Sequence, residues 1–489
     1  MEHNRRDFLK GTLWMGAVAA MAGGCKVTEG LAPAGNMTLF RAPKLSKVRV
    51  GVVGLGMRGP GAVHRLSSIP GVEVAALCDL YKTRVQSQID ALVKRGKPAP
   101  KGYWIYESDS DVRLDETKEA EAYRRMCESD IDLVYATSPW KTHAPIALYA
   151  MRHGKHAAVE VPSAMTLDEC WELVETSEQT GRHCMQLENC CYGEIEMLAL
   201  NMARQGLFGE IMHGEGAYIH DLRELNYLDP KQGGYQNYWR LRWNAEHTGN
   251  PYATHGLVPL MQTMGINRGD RFDYLTCIAT NQVGMDAYAR VKFGEDSWQY
   301  KLHPKCGDMS TTVLRTVNGK TVMIQHDVTS ARPYSRINLI SGTQGMISGI
   351  DRNYDLRIAL AAKPGDGAHS YSKEADKLAE QYAHPLWKAA GELAKKMGGH
   401  GGMDFLMDLR LCYCLQNGLP LDMNVYDLAA SCSLAELCER SATNRGASQD
   451  VPDFTRGAWK TLSPLGIETV DIDKLGINDV ERDERQLNV

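Results

Sequence analysis

The stretch VGVVGLGMRGPG, residues Val50 to Gly61, decides the fold of the first half of the chain. An apolar strand runs into a glycine-rich turn that opens a helix. Gly54 permits the tight turn, Gly56 lets a diphosphate approach the backbone, and Gly59 lets helix and strand pack closely. A second predicted strand ends at Asp79, where a carboxylate accepts hydrogen bonds from ribose hydroxyls and repels a 2′-phosphate. The sequence therefore predicts a Rossmann domain that binds NAD rather than NADP.

The pattern of strands and helices predicts an α/β protein with two different sheets. From residue 47 to about 190, apolar strands alternate with helical periods, as in a doubly wound parallel sheet. From about residue 207, strands follow one another, which favours a C-terminal α/β domain with a large open, mostly antiparallel sheet. These strands are predicted in GEIMHGEGAYIH, RFDYLTCIAT, SWQYKLH, MSTTVLRTVNGKTVMIQHD and SRINLISGTQGMISGI.

The remaining patterns set the domain boundaries. Helical periods are predicted at residues 371–396, 402–414 and 425–440, and residues 95–118 are expected to form an irregular insertion. The predicted organisation is an export signal at 1–30, a linker at 31–46, the Rossmann domain at 47–190, the second α/β domain at 191–445 and a C-terminal tail at 446–489.

Composition and charge narrow the class of protein. The 489 residues are 43% hydrophobic and 24% charged, with a net charge of −5, which is ordinary for a globular chain and gives no nucleic-acid footprint. The thirteen cysteines include no C-x-x-C pair, so we expect buried thiols and no metal.

The N-terminal residues are typical of an export signal. Arg5 and Arg6 precede an apolar run that ends in AMAGGC at Cys25. This order predicts export by the twin-arginine route, and a buried N-terminal helix is the alternative. AMAGGC is similar to a lipoprotein cleavage site, which leaves a lipid anchor at Cys25 open. We expect a periplasmic protein or a membrane-anchored lipoprotein.

Longer stretches resemble a known superfamily. The glycine loop, the strand before Asp79 and SPWKTHAPIALYAMRHGKHAAVEVP at 138–162 resemble the Gfo/Idh/MocA oxidoreductases. Their usual signature near the nicotinamide is Glu-Lys-Pro, whereas this chain has Glu160-Val161-Pro162. The missing lysine normally helps to move a proton at the alcohol being oxidised, which argues against simple dehydrogenase activity.

One subgroup is matched in order over most of residues 47 to 445. The stretches VEVPSAM, LENCCYG, GEGAYIHDLR, YWRLRWN, NPYATHGLVP, YSRINLISGTQG and HGGMDF resemble the family 109 glycoside hydrolases, which are NAD-dependent α-N-acetylgalactosaminidases. The valine of Glu-Val-Pro is also what this subgroup carries.

The resemblance implies an exo-glycosidase that hydrolyses terminal α-linked N-acetylgalactosamine with retention. The implied sequence is C3 oxidation by NAD⁺, C2 deprotonation, elimination at C1, water addition and hydride return, so that the cofactor is restored. The alternatives are an NAD-dependent periplasmic sugar dehydrogenase and a non-catalytic sugar-binding protein that keeps NAD as a structural ligand.

The resemblance also implies the sugar site. A phenol and an imidazole three residues apart share a face if their segment is helical, and a histidine can move protons near neutral pH. We expect His255 to be the main base, assisted by Tyr252, with a packing histidine as the alternative. Tyr218 and Tyr334 could equally be core residues, and Arg242 could be confused with Arg240. The implied substrate-binding residues are Tyr218, Arg240, Tyr252, Ala253, Thr254, His255 and Tyr334.

The cofactor site is implied in the same way. Glu188 follows a predicted strand and could be an acid/base or an orienting group. His143 could instead cap its helix, and His400 and Asp404 are left outside the predicted site. The implied NAD-binding residues are Gly54, Gly56, Met57, Arg58, Gly59, Asp79, Trp140, His143, Glu160, Val161 and Asn189. We expect a small-molecule or glycan substrate, no nucleic acid, and a homodimer, which such open-sheet domains commonly form.

Overall fold

A computed structural model describes residues 35–108 and 116–472. The export signal, Cys25, the linker as far as residue 34 and the end of the C-terminal tail lie outside the described residues. Within the described ranges, no helix is both long enough and apolar enough to cross a membrane. The twelve described cysteines are all buried free thiols.

The first half of the chain forms a six-stranded parallel sheet in the order β3-β2-β1-β4-β5-β6. Its inner strands are short apolar runs that are buried along nearly their whole length, as expected for a sheet covered on both faces. The strands are β1 (Val48–Val53), β2 (Val72–Cys78), β3 (Lys101–Tyr103), β4 (Leu133–Ala136), β5 (His156–Val159) and β6 (Cys184–Gln186).

Helices connect these parallel strands. In α5 the side chain of Thr166 accepts the backbone N–H of Glu169, whose carboxylate accepts the Thr166 N–H, so the first turn is well capped. The helices are α1 (Gly59–Leu66), α2 (Lys82–Lys94), α3 (Glu116–Cys127), α4 (Trp140–Arg152) and α5 (Leu167–Thr180). The predicted doubly wound sheet is confirmed.

The second half contains an eight-stranded sheet in the order β13-β12-β11-β7-β10-β9-β8-β14. Strands β7 and β10 are parallel and the other neighbours are antiparallel, which confirms the predicted mostly antiparallel sheet. The strands are β7 (Ile211–Ile219), β8 (Phe272–Ala279), β9 (Ser310–Thr316), β10 (Thr321–Asp327), β11 (Leu339–Gly342), β12 (Gly345–Ser348), β13 (Arg357–Leu360) and β14 (Gln449–Asp450).

Helices cover one face of this sheet. Helix α9 lies against β7, and a Cβ added at Gly216 would be 2.3 Å from the carbonyl oxygen of Gly256, so two glycines permit the close approach. The helices are α6 (Glu194–Arg204), α7 (Arg223–Tyr227), α8 (Trp239–Glu246), α9 (Thr254–Met264), α10 (Gly284–Phe293), α11 (Trp298–Lys301), α12 (Ala375–Tyr382), α13 (Pro385–Met397), α14 (Met403–Asn417), α15 (Val425–Cys432) and α16 (Leu434–Thr443).

Four predicted elements are wrong. SWQYKLH alternates like a strand but begins the short helix α11, because the Ser297 side chain accepts the Tyr300 N–H as an N-cap. The helix predicted at 371–396 is two helices that are interrupted before Pro385, and the one predicted at 425–440 breaks at Ser433. The insertion predicted at 95–118 contains β3, which joins the parallel sheet beside β2.

Candidate active site

A large cleft lies where the carboxyl ends of the parallel strands face the second sheet. It encloses about 2720 Å³, more than the roughly 300–1,000 Å³ typical of a small-ligand site, so a dinucleotide and a sugar could both be accommodated. Among the predicted site residues, those lining the cleft are Gly54, Gly56, Met57, Arg58, Asp79, Trp140, His143, Glu160, Val161, Tyr218, Arg240, Tyr252 and His255. The predicted residues that are not on its wall are Gly59, Asn189, Ala253, Thr254 and Tyr334.

The glycine loop between β1 and α1 is built as the sequence predicts. Gly54 has φ +88°, and a Cβ at Gly59 would be 2.1 Å from the Gly54 carbonyl oxygen, so neither position could hold a side chain without displacement. At Gly56 the nearest atom to an added Cβ is Arg84 Nη1, at 3.8 Å. The loop therefore leaves open backbone at Gly56, which fits the close approach of the NAD diphosphate.

Asp79 follows β2 and supports the same loop. Its Oδ2 accepts the Leu55 N–H at 2.7 Å, and its Oδ1 accepts the Tyr81 N–H at 3.1 Å. Each carboxylate oxygen has a second lone pair, so the side chain can still accept from a ribose hydroxyl. The residue thus fixes the loop and fits the predicted contact with the cofactor.

His143, in α4, is held by the protein on both sides of its ring. Nδ1 lies 2.7 Å from the Pro162 carbonyl oxygen, and Nε2 lies 2.5 Å from the Ser138 carbonyl oxygen. Burial lowers the pKa of His143, against the effect of these two carbonyls. The side chain ties α4 to the Glu160-Val161-Pro162 loop, and its predicted NAD contact stays a prediction.

A charged network forms the wall nearest the glycine loop. Arg58 Nε donates to Glu160 Oε1 at 3.0 Å, and Arg58 Nη2 lies 3.3 Å from Asp404 Oδ2. Asn189 Nδ2 donates to Asp404 Oδ1 at 2.6 Å. The predicted cofactor ligand Asn189 therefore supports Asp404 and does not itself line the cleft. Burial would raise the pKa of Asp404, but Arg58, His400 and Arg65 lower it well below its usual value. Sequence reasoning left Asp404 out of the site.

Glu188, His255 and Tyr252 form a hydrogen-bonded chain beside a second part of the cleft wall. His255 Nδ1 lies 2.8 Å from Glu188 Oε1, and Tyr252 OH lies 3.4 Å from His255 Nε2. Glu188 follows β6, Tyr252 immediately precedes the α9 region, and His255 lies in its first turn. Burial would raise the pKa of Glu188, but the contact with His255 lowers it below its usual value. The predicted pair therefore comes together, with a buried carboxylate as its third member.

Arg240, on α8, lies among aromatic rings of the same wall. Its guanidinium carbon is 5.0 Å from the ring centres of Trp140 and Tyr252 and 5.7 Å from that of Tyr218. Nη1 donates to Tyr235 OH at 3.3 Å, while Nε and Nη2 are buried without a hydrogen-bond partner among the described residues. Buried donors that lack a partner are rare and costly, so this guanidinium is arranged to meet a ligand acceptor.

His220 is a cleft residue that sequence reasoning missed. Its Nδ1 lies 3.0 Å from Tyr218 OH, and its ring is 5.0 Å from that of Tyr334. Burial, followed by the charge of Arg240, lowers the pKa of His220 to about 4, so the ring is neutral near pH 7. Residues two apart on a strand share a face, and this period would have connected His220 with Tyr218.

The remaining predicted residues lie around this wall. Val161 is buried in one apolar cluster with Trp140, Tyr218 and Tyr252. Ala253 and Thr254 are buried at the start of α9. Tyr334 is 39% exposed and accepts a hydrogen bond from Arg336 Nη1 at 3.1 Å. Their substrate contacts stay predictions.

One group of side chains could ligate a metal. The donor atoms of Glu188, Cys190 and His255 lie within 4.8 Å of one another. Burial raises the pKa of Cys190 well above its usual value, which disfavours the thiolate that a metal requires. Our expectation that the enzyme uses no metal stays a prediction.

The fold and the glycine loop first define an NAD-binding protein of the oxidoreductase type. Residues 48–187 match the family described as "Oxidoreductase family, NAD-binding Rossmann fold", which confirms the predicted cofactor. Residues 192–461 match "Glycosyl hydrolase 109, C-terminal domain". The chain belongs to glycosyl hydrolase family 109, and it is an NAD-dependent glycoside hydrolase.

Full-length relatives agree with this assignment. A glycosyl hydrolase family 109 protein of Shewanella amazonensis is 45% identical over 473 residues, which are 95% of this chain and 99% of the relative. A Bacteroides fragilis protein named alpha-N-acetylgalactosaminidase is 45% identical over 419 residues, which are 86% of this chain and 94% of the relative.

Solved structures share the fold at much lower identity. A levoglucosan dehydrogenase in complex with NADH and levoglucosan aligns with a TM-score of 0.58 and 18% identity, covering 83% of this chain and all of that chain. An NAD-binding oxidoreductase from Klebsiella pneumoniae aligns with a TM-score of 0.60 and 16% identity, covering 84% of this chain. This likeness concerns the fold alone.

Proposed function

We propose that the enzyme is an exo-α-N-acetylgalactosaminidase that retains the anomeric configuration through a redox-neutral elimination and addition. The observation that carries the proposal is the Glu188–His255–Tyr252 chain, which opens into the same cleft as the NAD-binding glycine loop. Bound NAD would supply a reversible hydride acceptor for the sugar. The protein side chains must then hold the sugar and move protons.

His255 is arranged to accept a proton. The Glu188 carboxylate accepts the Nδ1–H of His255, which fixes the tautomer and leaves the Nε2 lone pair facing Tyr252 and the cleft. The same carboxylate stabilises the imidazolium that forms when Nε2 takes a proton. Burial raises the pKa of Tyr252 well above its usual value, so its hydroxyl stays protonated and can relay a proton. We assign this chain to the sugar C3 hydroxyl or C2.

The pairing of Glu188 with His255 and of Glu160 with Arg58 argues against a mechanism in which these two residues act as free carboxyl groups. Such an enzyme places an acid with a raised pKa and a second carboxylate on either side of the glycosidic bond. Here Glu188 is hydrogen-bonded to His255 and has a lowered pKa, and Glu160 is paired with Arg58. These groups suit orientation and charge balance better than protonation of a leaving group.

The sugar specificity follows from the donors and rings that face the cleft. Arg240 has two nitrogens, Nε and Nη2, without partners among the described residues, and their N–H groups suit the carbonyl oxygen of an acetamido group or sugar hydroxyls. Trp140, Tyr218 and Tyr252 supply apolar surface for a pyranose ring. The α-N-acetylgalactosaminidase name of the Bacteroides fragilis relative favours N-acetylgalactosamine as the terminal sugar.

Turnover of a chromogenic α-N-acetylgalactosaminide in deuterated water tests the proposal. We expect the released sugar to carry deuterium at C2, because the C2 proton is removed and replaced, with no net NADH absorbance. Sugar released with C2 fully protonated would mean direct displacement and a structural NAD. Accumulating NADH would instead support the sugar dehydrogenase. NMR of the product and absorbance in the NADH band provide the two readings.

A further inference from the structure

The segment between α13 and α14 has an unusual backbone. Gly398 to Gly402 read GGHGG, and every one of these residues has positive φ, from +47° at His400 to +107° at Gly402. Glycine adopts this region without strain, whereas a histidine does so only where the surroundings hold it. This backbone places the His400 side chain on the wall of the cleft.

This segment reaches from the second domain to the glycine loop. Arg58 Nη1 lies 3.2 Å from His400 Nδ1, and Arg58 Nη2 lies 3.3 Å from Asp404 Oδ2. The third arm of the same guanidinium donates to Glu160. One arginine of the glycine loop is thus held by three groups, and two of them belong to the far domain.

The anchor of this contact is deeply buried. The Asp404 side chain is 1% exposed and is also bonded to Asn189 Nδ2. His400 is 44% exposed and lies 3.1 Å from both Asp404 carboxylate oxygens. His400 Nδ1 cannot donate to Asp404 and accept from Arg58 at the same time, so the tautomer of the ring decides with which residue Nδ1 forms a hydrogen bond. Because Nδ1 faces both oxygens of the ionised Asp404 carboxylate, the tautomer with Nδ1–H, which donates to Asp404, fits this geometry, and the ring then orients the carboxylate that receives Arg58 Nη2.

We propose that residues 398–404 are a cofactor clasp, in which His400 and Asp404 position Arg58 across the NAD-binding loop and slow the release of NAD. The inference rests on the proposed function, because a redox-neutral cycle regenerates NAD and needs it to remain bound. Gly398, Gly399, His400, Gly401 and Asp404 line the same cleft as the glycine loop. Closing this side with a segment of the other domain gives the cofactor one fewer route to solvent.

Cofactor exchange measures the clasp without using activity. The NAD-loaded enzyme is mixed with excess NAD that is deuterated on the nicotinamide ring, and the cofactor that remains bound is followed by mass spectrometry. H400G removes the side chain without strain at positive φ. We expect about tenfold faster NAD exchange, because one hydrogen bond to a charged group is lost. H400N tolerates this backbone and keeps an N–H donor for the Asp404 carboxylate, so we expect exchange within about threefold of the parent enzyme.

H369G is the matched control, because His369 lies in an exposed loop. We expect parent-like exchange in H369G and equal melting temperatures for the NAD-free parent and H400G. Parent-like exchange in H400G would overturn the clasp. Equally fast exchange in H400G and H400N would also overturn it, because a retained hydrogen-bond donor at position 400 would then have no effect on cofactor release. Failure of the proposed function would appear in the deuterium test and leave these rates unaffected.

Discussion

The two walls of the cleft satisfy their polar groups in opposite ways. On the glycine-loop wall, Arg58, Glu160 and Asp404 hold one another within hydrogen-bond or ion-pair distance. On the aromatic wall, which carries Trp140, Tyr218 and Tyr252, Arg240 is only 5% exposed, and its Nε and Nη2 have no partners among the described residues. The polar groups of the first wall have partners within the protein, whereas the Arg240 donors of the second wall gain partners only when a ligand binds.

This contrast indicates which ligand should stay bound through many turnovers and which should be released in each one. An unpartnered buried donor gains a hydrogen bond when a ligand arrives and loses it when the ligand leaves, so it suits a substrate that turns over. A closed ionic network between domains gains less from the ligand and instead holds the walls together. Variants of the aromatic wall should therefore change the kinetics of the glycoside, whereas variants of the glycine-loop wall should change the exchange of NAD.

The largest effect is expected for His255→Ala. A general base that moves a proton in the transition state contributes about 10²–10⁴-fold, and we expect kcat to fall by about 10³-fold. Bound NAD per chain should not change, because His255 lies on the aromatic wall. Initial rates give kcat, and the NAD released when the protein is denatured gives the amount bound per chain. H213A, on the second sheet, is the control, and near-normal activity in H255A would remove His255 from the mechanism.

Glu188→Gln should have a smaller effect and a distinct pH signature. An amide can donate to His255 Nδ1 and favour the wrong tautomer, so we expect kcat to fall by about 10²-fold. The folded pKa of Glu188 is lowered, so the carboxylate stabilises the parent above its unfolded pKa of about 4.3, and this advantage is lost as pH falls through the folded pKa. Urea unfolding should show a parent advantage of about 1–3 kcal/mol at pH 7 that shrinks in acid. An advantage that is unchanged at pH 3 would contradict the charge argument.

Local sequence patterns predicted the glycine loop itself better than the contacts between distant segments. The spacing of Gly54, Gly56 and Gly59 fixes a turn within a few residues, so the loop could be predicted from this stretch of sequence alone. The strand-end rule also placed Glu188 at the correct edge of the sheet. Its contact with His255, 67 residues further on, depends on how α9 packs against β7 and has no local signal.

Other features were hidden for the same physical reason. His400 and Asp404 begin a helix four residues apart, which reads as an ordinary helix terminus, and their contact with Arg58 spans more than 340 residues. SWQYKLH has the alternation of a strand, yet one N-cap at Ser297 was enough to make it helical. Short polar caps and long-range ion pairs override periodicity because each acts through a few specific atoms.

The smallest effects are expected when an arginine on each wall is replaced in turn by lysine, and these effects distinguish the two walls most sharply. R240K keeps the charge near the aromatic rings but loses the fork of donors, so we expect KM for the glycoside to rise about tenfold, with little change in NAD exchange. R58K loses the three-way contact with Glu160, His400 and Asp404, so we expect faster NAD exchange and a much smaller change in KM. The two variants are matched in chemistry and differ only in the wall. If both altered KM and exchange equally, the cleft would behave as one coupled site and the distinction between its walls would fail.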